Sequence, residues 1–573
     1  MSRPRHGVAL AGVLAAGSLA FAGNPLTSPM PGSQVGAAPA RVAAPEVVAG
    51  RVIAPRALRR PNMLVITADD MRADDLRWMP RTRHLLADRG ITFRNSFAPD
   101  PLCAPSRASF LTGRYVHNHR VLGIERPYGF RSFDDSSTLA TRLRRAGYRT
   151  ALVGKYLNGY GKTRTFRGHP SLHYVPPGWT QWWASTDHGW HGQWPGGGTY
   201  DYMHLTSNVN GGLRTWPGRY TTGVTAGQTQ GLVRRFGGAS PKRPWFLWWT
   251  PVAPHSGMPE ESDDPGWITR SDEVRAFWVT PARPAWVKHR FDGVITHGGG
   301  APPDRSAEPD VSDKPHYIRG YPLLTSREKR AERDVTRQRA EALYVLDVQI
   351  GRTLATLRRS GQAARTIVVL TSDNGYYLGE HRKRIGKTTL HEPSVRVPLV
   401  VAGPRIPHGV RYDPATVVDL AVTVAGWAGT SLVREDGHSL GSTIAHGDHG
   451  WIRPVVLEGL MREPLYCEAT VDHAVMRGLN TSGIRMGRYV LIRYSTGETE
   501  VYDLARDPLE LHSLSGPASE DLRRLLTRTW RQYAACAGAQ CQATLPAELR
   551  TAPTQNRWIA DHQSRETRRY YHY

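Results

Sequence analysis

Met63-Leu64-Val65-Ile66-Thr67-Ala68-Asp69-Asp70 joins a short apolar run to two adjacent carboxylates. A run of this length that is apolar on both faces is typical of a strand buried inside a parallel sheet. Open α/β sheets carry their sites at the carboxyl ends of such strands, so we expect the polar groups that follow them to meet at one sheet edge. Three further runs end in the same way: 150–153 before Gly154-Lys155, 245–249 before His255, and 367–370 before Asp373-Asn374.

A long helix is predicted just before the last of these runs. Its apolar positions share one face and indicate a helix over about 334–359, which ends before Gly361. Strands that alternate with helices favour an α/β fold with a large mixed, mostly parallel sheet flanked by helices. The apolar positions are Leu343, Leu346, Ile350, Leu354 and Leu357.

The pattern changes beyond about residue 451. Short segments separated by turns such as Ser495-Thr496-Gly497 predict a small antiparallel sheet. A helix over about 519–535 is expected to pack on this sheet. No element is predicted in the basic, polar tail 549–573. The predicted strand segments are 454–458, 482–485, 489–494 and 498–504.

The first 22 residues have the form of an export signal. A basic start is followed by an apolar run over 8–21 and by Ala20-Phe21-Ala22, a small-residue cleavage site. The run is short for a membrane span, and an uncleaved anchor over 8–22 is the alternative. Residues 23–60 are rich in Pro, Ala, Gly and Val and are predicted to be a linker, so the folded part should begin near Pro61.

Four cysteines are few for a chain of 573 residues. In an exported protein the close pair Cys536 and Cys541 is expected to form a short-loop disulfide. Cys103 and Cys467 are then left unpaired, and a bridge between these two is the competing arrangement. Zinc is disfavoured, because nothing near Cys536 and Cys541 supplies the remaining ligands at a familiar spacing.

The chain carries a formal net charge of +24 at pH 7. Such an excess can steer a polyanion such as a sulfated glycan toward the protein. The alternative, slightly favoured, is that an arginine-rich composition only tracks the base content of the genome. Nucleic acid is not an expected partner, because the sequence has no recognisable binding motif and no clean basic helix.

Thirteen residues resemble the signature of the type I sulfatases: Pro101-Leu102-Cys103-Ala104-Pro105-Ser106-Arg107-Ala108-Ser109-Phe110-Leu111-Thr112-Gly113. In that family the cysteine of a Cys-x-Pro-x-Arg core is converted to formylglycine by a formylglycine-generating enzyme, and here that cysteine is Cys103. One hydroxyl of the aldehyde hydrate attacks sulfur, and the other, once deprotonated, expels sulfate and regenerates the aldehyde. The alternatives are that Cys103 is a small buried thiol, or that it is bridged to Cys467, which would block this chemistry.

The resemblance also implies a metal site at the predicted sheet edge. Asp69, Asp70, Asp373 and Asn374, together with one oxygen of the residue 103 hydrate, would hold a hard cation. Calcium fits because it accepts several carboxylate and amide oxygens at flexible geometry, and magnesium is the alternative. The metal would hold the nucleophile and neutralise sulfate oxygens.

A second family signature is similar to Gly147-Tyr148-Arg149-Thr150-Ala151-Leu152-Val153-Gly154-Lys155-Tyr156-Leu157. It implies that Lys155 bridges the sulfate and the aldehyde hydrate. Many relatives carry a histidine two positions after this lysine, where this chain has Leu157. Asn158 is expected to supply a polar contact to substrate instead.

Three more residues resemble family positions with assigned roles. His255, in Pro251-Val252-Ala253-Pro254-His255-Ser256, resembles the histidine that contacts sulfate and the ester oxygen. Lys387, in Ile385-Gly386-Lys387-Thr388, resembles its partner lysine. Either is expected to protonate the leaving alkoxide, and both stabilise the charge that develops as the ester bond breaks. Arg107 is expected to hold the residue 103 hydrate and to support the metal carboxylates.

The resemblance spans about 61–514 and implies an alkaline-phosphatase-like fold. It divides the chain into a catalytic sulfatase domain over 61–450 and a C-terminal α+β subdomain over 451–548. Several motifs look most like the branch that contains N-acetylglucosamine-6-sulfatases, so a sulfated sugar is the expected substrate and an aryl sulfate is the alternative. These motifs are 154–158, 175–179, 253–256 and 371–376.

Five tryptophans crowd one region of the sequence. They are expected either to stack on a sugar ring or aryl group or to fill a lid with large side chains. These residues are Trp179, Trp182, Trp183, Trp190 and Trp194.

Two other functions stay open at this point. A phosphodiester or phosphonate monoester hydrolase of the same superfamily is the enzymatic rival, since some of these also carry formylglycine. A secreted glycan-binding protein that keeps an unconverted Cys103 is the non-enzymatic one. The sequence argues against the second, because a binding module has no need of metal ligands together with Arg107, Lys155, His255 and Lys387. The sequence predicts neither the oligomeric state nor the exact ester.

Overall fold

A computed structural model describes residues 60–187, 197–239, 243–460 and 480–572. Within these ranges no helix combines the length and the apolar character needed to cross a membrane. The predicted export signal, nearly all of the predicted linker, Cys467, Trp190 and Trp194 lie outside the described residues.

The strands of the described residues are, in chain order, β1 (Asn62–Ala68), β2 (Ile91–Phe97), β3 (Arg149–Gly154), β4 (Gln181–Ser185), β5 (His204–Val209), β6 (Gly212–Pro217), β7 (Trp245–Thr250), β8 (Gly266–Thr269), β9 (Arg275–Trp278), β10 (Thr366–Ser372), β11 (Tyr377–Leu378), β12 (Ile385–Gly386), β13 (Leu399–Ala402), β14 (Gly409–Thr416), β15 (Val455–Leu460), β16 (Asn480–Met486), β17 (Tyr489–Tyr494) and β18 (Thr499–Asp503). 

The α-helices of the described residues are α1 (Pro80–Leu85), α2 (Cys103–Thr112), α3 (Val116–His119), α4 (Leu139–Arg145), α5 (Thr221–Ala239), α6 (His316–Arg319), α7 (Ser326–Arg359), α8 (Glu392–Val395), α9 (Val417–Trp427), α10 (Gly441–His446), α11 (Glu520–Tyr533) and α12 (Pro553–Tyr570).

A ten-stranded mixed sheet organises the described chain, with strand order β14-β2-β13-β10-β1-β7-β3-β4-β5-β6. The four apolar runs that the sequence marked as strands are β10, β1, β7 and β3, and they are neighbours in this sheet. Their pairing is parallel, and Ile66 of β1 lies opposite Leu370 on one side and Trp249 on the other. The predicted mostly parallel centre is therefore confirmed, and the polar residues that follow these strands share one edge.

Helices cover both faces of the sheet. Leu64 and Ile66 of β1 point into a core that includes Leu343 and Leu346 of α7. Met63, the residue before Leu64, belongs to a second core together with residues of α2 and α9. Alternating side chains along one strand thus bury both faces, as a central strand of an α/β fold requires.

The long helix α7 begins earlier than the sequence pattern indicates. It starts at Ser326 rather than at about residue 334, and it ends at Arg359 as predicted. Thr325 caps it: the Thr325 hydroxyl accepts from the Glu328 backbone N–H, and the Glu328 carboxylate accepts from the Thr325 backbone N–H. The first two turns carry few apolar residues, so apolar periodicity alone places the start too late.

The C-terminal part contains the predicted small antiparallel sheet, with order β15-β16-β17-β18. Helix α11 matches the helix predicted over about 519–535. The tail 549–573, for which no element was predicted, forms α12, and Ile559 and Ala560 of this helix are buried. These two buried apolar residues are adjacent, so they show no helical period within the polar sequence.

Candidate active site

Two loops that carry carboxylates meet where the central strands end. Asp69 and Asp70 follow β1, and Asp373 and Asn374 follow the paired strand β10. The side chains of all four residues are buried. The backbone N–H of Asp70 donates to Asp373 Oδ1 at 3.1 Å, and Asn374 Nδ2 donates to Asp70 Oδ1 at 2.8 Å. The sheet thus gathers the expected oxygen ligands into one cluster.

Cys103 is the first residue of α2 and is 1% exposed. Its Sγ lies 3.3 Å from Asp69 Oδ1 and 3.0 Å from Lys387 Nζ. Burial raises the pKa of the thiol well above its ordinary value, and the charge of Asp69 raises it further. An unconverted Cys103 is therefore a neutral thiol at pH 7, and the thiol is a much weaker nucleophile than the thiolate.

Arg107 lies one turn after Cys103 on α2 and connects the ends of three elements. Its Nε donates to Asp373 Oδ2 at 2.6 Å, and its Nη1 donates to the backbone oxygen of Lys155 at 2.8 Å. Burial acts to lower the pKa of Arg107, but the charges of Asp373 and Asp69 outweigh it and raise the pKa above its ordinary value. Arg107 is permanently charged and ties α2 to the ends of β10 and β3.

Two buried lysines complete the charged cluster. Lys155 Nζ donates to Asp69 Oδ2 at 2.7 Å, and Lys387 Nζ donates to Asp70 Oδ1. Burial acts to lower the pKa of each lysine, but Asp69 for Lys155 and Asp70 for Lys387 outweigh it and raise the pKa. Both ammonium groups remain charged at pH 7 and lie beside Cys103.

His255 follows β7 and faces the same cluster. Its Nδ1 lies 2.6 Å from the backbone oxygen of Ser256. A carbonyl oxygen only accepts, so Nδ1 carries the hydrogen and Nε2, which lies 3.7 Å from Asp70 Oδ2, does not. Burial lowers the pKa of His255 to about 3 although Asp70 opposes the shift. His255 is thus neutral at pH 7, and its contact with Asp70 is not an ion pair.

A tyrosine that the sequence analysis did not single out lies between two of these groups. The ring of Tyr200 lies 5.0 Å from Lys155 Nζ and 4.7 Å from the ring of His255. Asn158 Nδ2 donates to the Tyr200 hydroxyl at 2.8 Å, whereas Leu157 is 1% exposed and belongs to the hydrophobic core. Tyr200 is 42 residues from Asn158 along the chain, so no local pattern marks it.

Lys387 lies in a loop with uncommon backbone angles. Gly386 has φ of 122° and Thr388 has φ of 102°, a region that a β-branched residue rarely adopts. Lys383 Nζ donates to the backbone oxygen of Lys387 at 3.1 Å and to Thr389 Oγ1 at 3.3 Å. Lys383, which the sequence analysis also missed, therefore holds the loop that presents Lys387 to Cys103.

The donor atoms of this cluster fit a hard divalent cation. Asp69, Asp70, Cys103 and His255 offer ligand atoms that lie within 4.8 Å of one another. Asn374 Oδ1 is buried and has no hydrogen-bond partner among the described residues. An unsatisfied buried polar atom costs about 1–3 kcal/mol, which an ion bound at this oxygen would offset. Carboxylate and amide oxygens are the ligands that calcium and magnesium prefer.

The expected tryptophans and the expected disulfide do not belong to this cluster. Trp182 is fully buried with its ring 4.9 Å from that of Tyr156, so it fills space in the core rather than offering a stacking surface. Trp179 and Trp183 are partly buried against the two cores. A disulfide joins Cys536 and Cys541, and Cys103 is a free thiol.

Comparisons with known proteins show the family of this chain. A family model described as Sulfatase matches residues 61–430. The chain belongs to the sulfatase family. A second model, described as N-sulphoglucosamine sulphohydrolase, C-terminal, matches residues 379–534 of this sulfatase.

Two relatives and one solved structure illustrate the similarity. The sulfatase is 28% identical to the arylsulfatase of Volvox carteri over 516 residues, which cover 84% of this chain and 76% of the relative. It is 28% identical to the N-acetylglucosamine-6-sulfatase of Homo sapiens over 398 residues, which cover 67% of this chain and 64% of the relative. A structure described as BT4656 in complex with its substrate D-glucosamine-2-N,6-O-disulfate shares the fold, with a TM-score of 0.60 at 20% identity, covering 84% of this chain and 98% of that one. The chain is a sulfuric ester hydrolase.

Proposed function

We propose that this sulfatase is exported and hydrolyses a sulfate monoester carried by a sugar, using a formylglycine made from Cys103. The observation that carries the proposal is the position of the Cys103 sulfur, 3.0 Å from Lys387 Nζ and 3.3 Å from Asp69 Oδ1. The sulfur stands in for the hydrate oxygens that would replace it. The hydrate oxygens would then lie between the Lys387 ammonium, which favours a deprotonated hydrate, and the Asp69 carboxylate, which favours a bound metal.

Calcium is the proposed metal and magnesium the alternative. Asp69, Asp70, Asp373 and Asn374 would hold it, and the buried, unsatisfied Asn374 Oδ1 supports this assignment. A bound divalent cation supplies positive charge that holds the attacking oxygen and neutralises sulfate oxygens.

The side chains around residue 103 divide the remaining work. Lys155 is fixed by Asp69, so its charge is preorganised for an anionic sulfate group without further rearrangement. Arg107, which is fixed by Asp373, would hold the residue 103 hydrate and support the metal carboxylates. Conversion of Cys103 would supply two hydroxyls. One attacks sulfur, and the other, once deprotonated, expels sulfate. Lys387 and His255 would contact the ester oxygen, and Lys387 is the better proton donor of the two because His255 is neutral at pH 7.

A sugar is the proposed carrier of the sulfate group. The similarity to an N-acetylglucosamine-6-sulfatase supports this class, while the similarity to an arylsulfatase keeps aryl sulfates as the alternative. Asn158 is proposed to contact the sugar, since its amide lies beside Lys155 through Tyr200. The export signal over 1–22 and the Cys536–Cys541 disulfide support export, because such disulfides persist in oxidising compartments.

The first test is the mass of the tryptic peptide from Asn95 to Arg107, taken from protein purified from its native host. We expect loss of the Cys103 sulfur and an aldehyde mass. The control is a Cys103→Ala protein, whose peptide must show the alanine mass and whose sulfate release must vanish. An intact thiol in protein that still releases sulfate would contradict the proposed nucleophile.

The second test is a substrate panel run with converted protein. We expect release of sulfate from N-acetylglucosamine 6-sulfate with a higher kcat/KM than from 4-nitrophenyl sulfate. Faster turnover of phosphodiesters or phosphonate monoesters than of either sulfate ester would favour the rival hydrolase. Binding of sulfated polymer without any sulfate release, by protein that keeps its Cys103 thiol even when the converting enzyme is present, would favour a binding protein.

A further inference from the structure

A two-stranded hairpin, β8 and β9, presents an aromatic and basic face to solvent. In its antiparallel register Trp267 lies opposite Phe277 and Thr269 lies opposite Arg275. We call these four residues the hairpin platform. The alternate residues Ile268, Ala276 and Trp278 are at most 2% exposed, so the period of two along each strand separates a buried face from an outer face.

The rings of the hairpin platform form one continuous surface. Trp267 is 54% exposed, and its ring centroid lies 5.2 Å from that of Phe277. The guanidinium carbon of Arg275 lies 5.0 Å from the Trp267 ring. A large exposed aromatic ring with a cation at its side is suited to a ligand that is apolar on one face and anionic at its edge.

The charge next to the hairpin platform is positive. Arg327 Nη2 donates to the backbone oxygen of Trp267 at 3.4 Å, and Arg330 is exposed on the same face of α7, three residues later. The hairpin turn has two exposed acids, Asp272, which forms an ion pair with Arg270, and Glu273. The arginines at the platform therefore outnumber the acids that are not bound by a neighbouring cation.

The hairpin is attached to two loops of the active site. Its buried face packs with Tyr376, Leu378 and Ile385, and Ile385 lies two residues before Lys387. At its base the backbone N–H of Gly257 donates to the backbone oxygen of Thr280 at 3.0 Å, and Gly257 lies two residues after His255. A ligand on the hairpin platform would thus be held by the same substructure that positions Lys387 and His255.

We propose that the hairpin platform binds the part of a sulfated polysaccharide that is not being cleaved. The proposal rests on the proposed sugar-sulfate hydrolase function. A pyranose ring offers a C–H face to Trp267 and Phe277, while its sulfate groups offer anions to Arg275 and Arg327, whose planar guanidinium groups suit such anions. An uncharged partner would make no ion pair with the arginines, and a partner that lacks sugar rings would not stack on Trp267.

The test uses the full chain carrying Cys103→Ala, so that binding is measured without hydrolysis. Dextran sulfate and unsulfated dextran of matched length are titrated by calorimetry against this protein and against its Trp267→Ala and Arg275→Gln forms. We expect each additional substitution to weaken binding of dextran sulfate about fivefold, the loss of one aromatic or cation–π contact of about 1 kcal/mol. Trp558→Ala is the matched control, since Trp558 is 49% exposed and lies on α12.

The outcomes separate this proposal from the proposed function. Unchanged binding in both platform variants, or equal binding of dextran and dextran sulfate, overturns the hairpin platform. A loss in Trp558→Ala as large as that in Trp267→Ala overturns it as well. Release of sulfate from 4-nitrophenyl sulfate by the converted protein reports on the proposed function alone. The outer position of Trp267 predicts an unchanged melting temperature, and Arg275→Gln keeps both rings if Trp267→Ala fails to fold.

Discussion

Tyr200 contacts two groups of the candidate active site. Its ring lies beside both the Lys155 ammonium and the His255 imidazole. We expect Tyr200→Leu to lower kcat/KM for sulfate release about tenfold, because a desolvated cation–π contact contributes about 1–2 kcal/mol. Steady-state kinetics with 4-nitrophenyl sulfate measures this change.

The control for Tyr200 is Tyr200→Phe, which keeps the ring and removes the hydroxyl that Asn158 binds. We expect this variant to lose less than the leucine variant on the aryl ester. Equal losses in the two variants would show that the ring has no role of its own.

Among single residues, the sequence identifies those that belong to a motif or follow a buried strand, and it misses those that support them. Asp69, Cys103 and His255 were found from strand ends and from a motif. Tyr200 and Lys383 act through contacts made only after folding. Leu157 was recognised as a departure from the family pattern, but only the structure shows that its side chain lies in the core.

The loop between β12 and α8 is the element on which the position of Lys387 depends. We expect Lys383→Met to lower kcat about tenfold with little change in KM, because a hydrogen bond from a charged group contributes about 1.5–3 kcal/mol to holding this loop. Lys383→Arg should restore part of the loss, and kinetics on one sulfate ester measures both. A lower melting temperature with unchanged kcat would show that Lys383 supports only stability.

Helix α3 carries a histidine that makes stability depend on pH. His119 Nε2 lies 3.0 Å from Ser109 Oγ, and Nδ1 accepts from the Val121 backbone N–H. Burial, and to a lesser extent Arg114, lowers the pKa of His119 to about 3. The unfolded chain therefore takes up a proton below about pH 6.5 that the folded chain does not, and stability falls as the pH falls.

The matched comparison is the native chain against His119→Gln, measured by urea unfolding at pH 7 and pH 5. The native chain should lose about 2 kcal/mol relative to the variant between these values, as follows from a pKa near 6.5 in the unfolded chain and about 3 in the folded chain. A constant difference between the two proteins would mean that His119 is protonated equally in both states.

Elements were predictable where their residues are apolar on a regular period and were missed where they are polar. β1, β7 and β10 are buried along their whole length and β3 is buried after its first residue, so each of the four contains a continuous apolar run. The start of α7 depends on the Thr325–Glu328 capping box, and α12 buries only a narrow stripe. Both signals consist of a few residues, whereas a buried strand is signalled by several consecutive apolar residues.

For the whole molecule, the charge of +24 separates two interpretations that the sequence left open. If the charge steers a polyanion, then raising NaCl from about 0.05 M to about 0.5 M should raise the KM for a sulfated polysaccharide about tenfold, because added salt screens long-range attraction. The KM for a monosaccharide sulfate should change by less than about twofold, since it has one charge to steer. Equal changes in KM for both substrates would favour the other interpretation, in which the arginine-rich composition only tracks the base content of the genome.

Cys103 is almost fully enclosed in the folded chain, with 1% of its surface exposed. An enzyme that oxidises this side chain must bring its own catalytic groups into contact with the sulfur, and the folded chain leaves no room for them. Under the proposed function, conversion therefore competes in time with folding, and a molecule that folds first stays inactive for as long as it remains folded. Slowing the folding of this chain, for example by lowering the growth temperature, should then raise the specific activity of the purified protein rather than its yield.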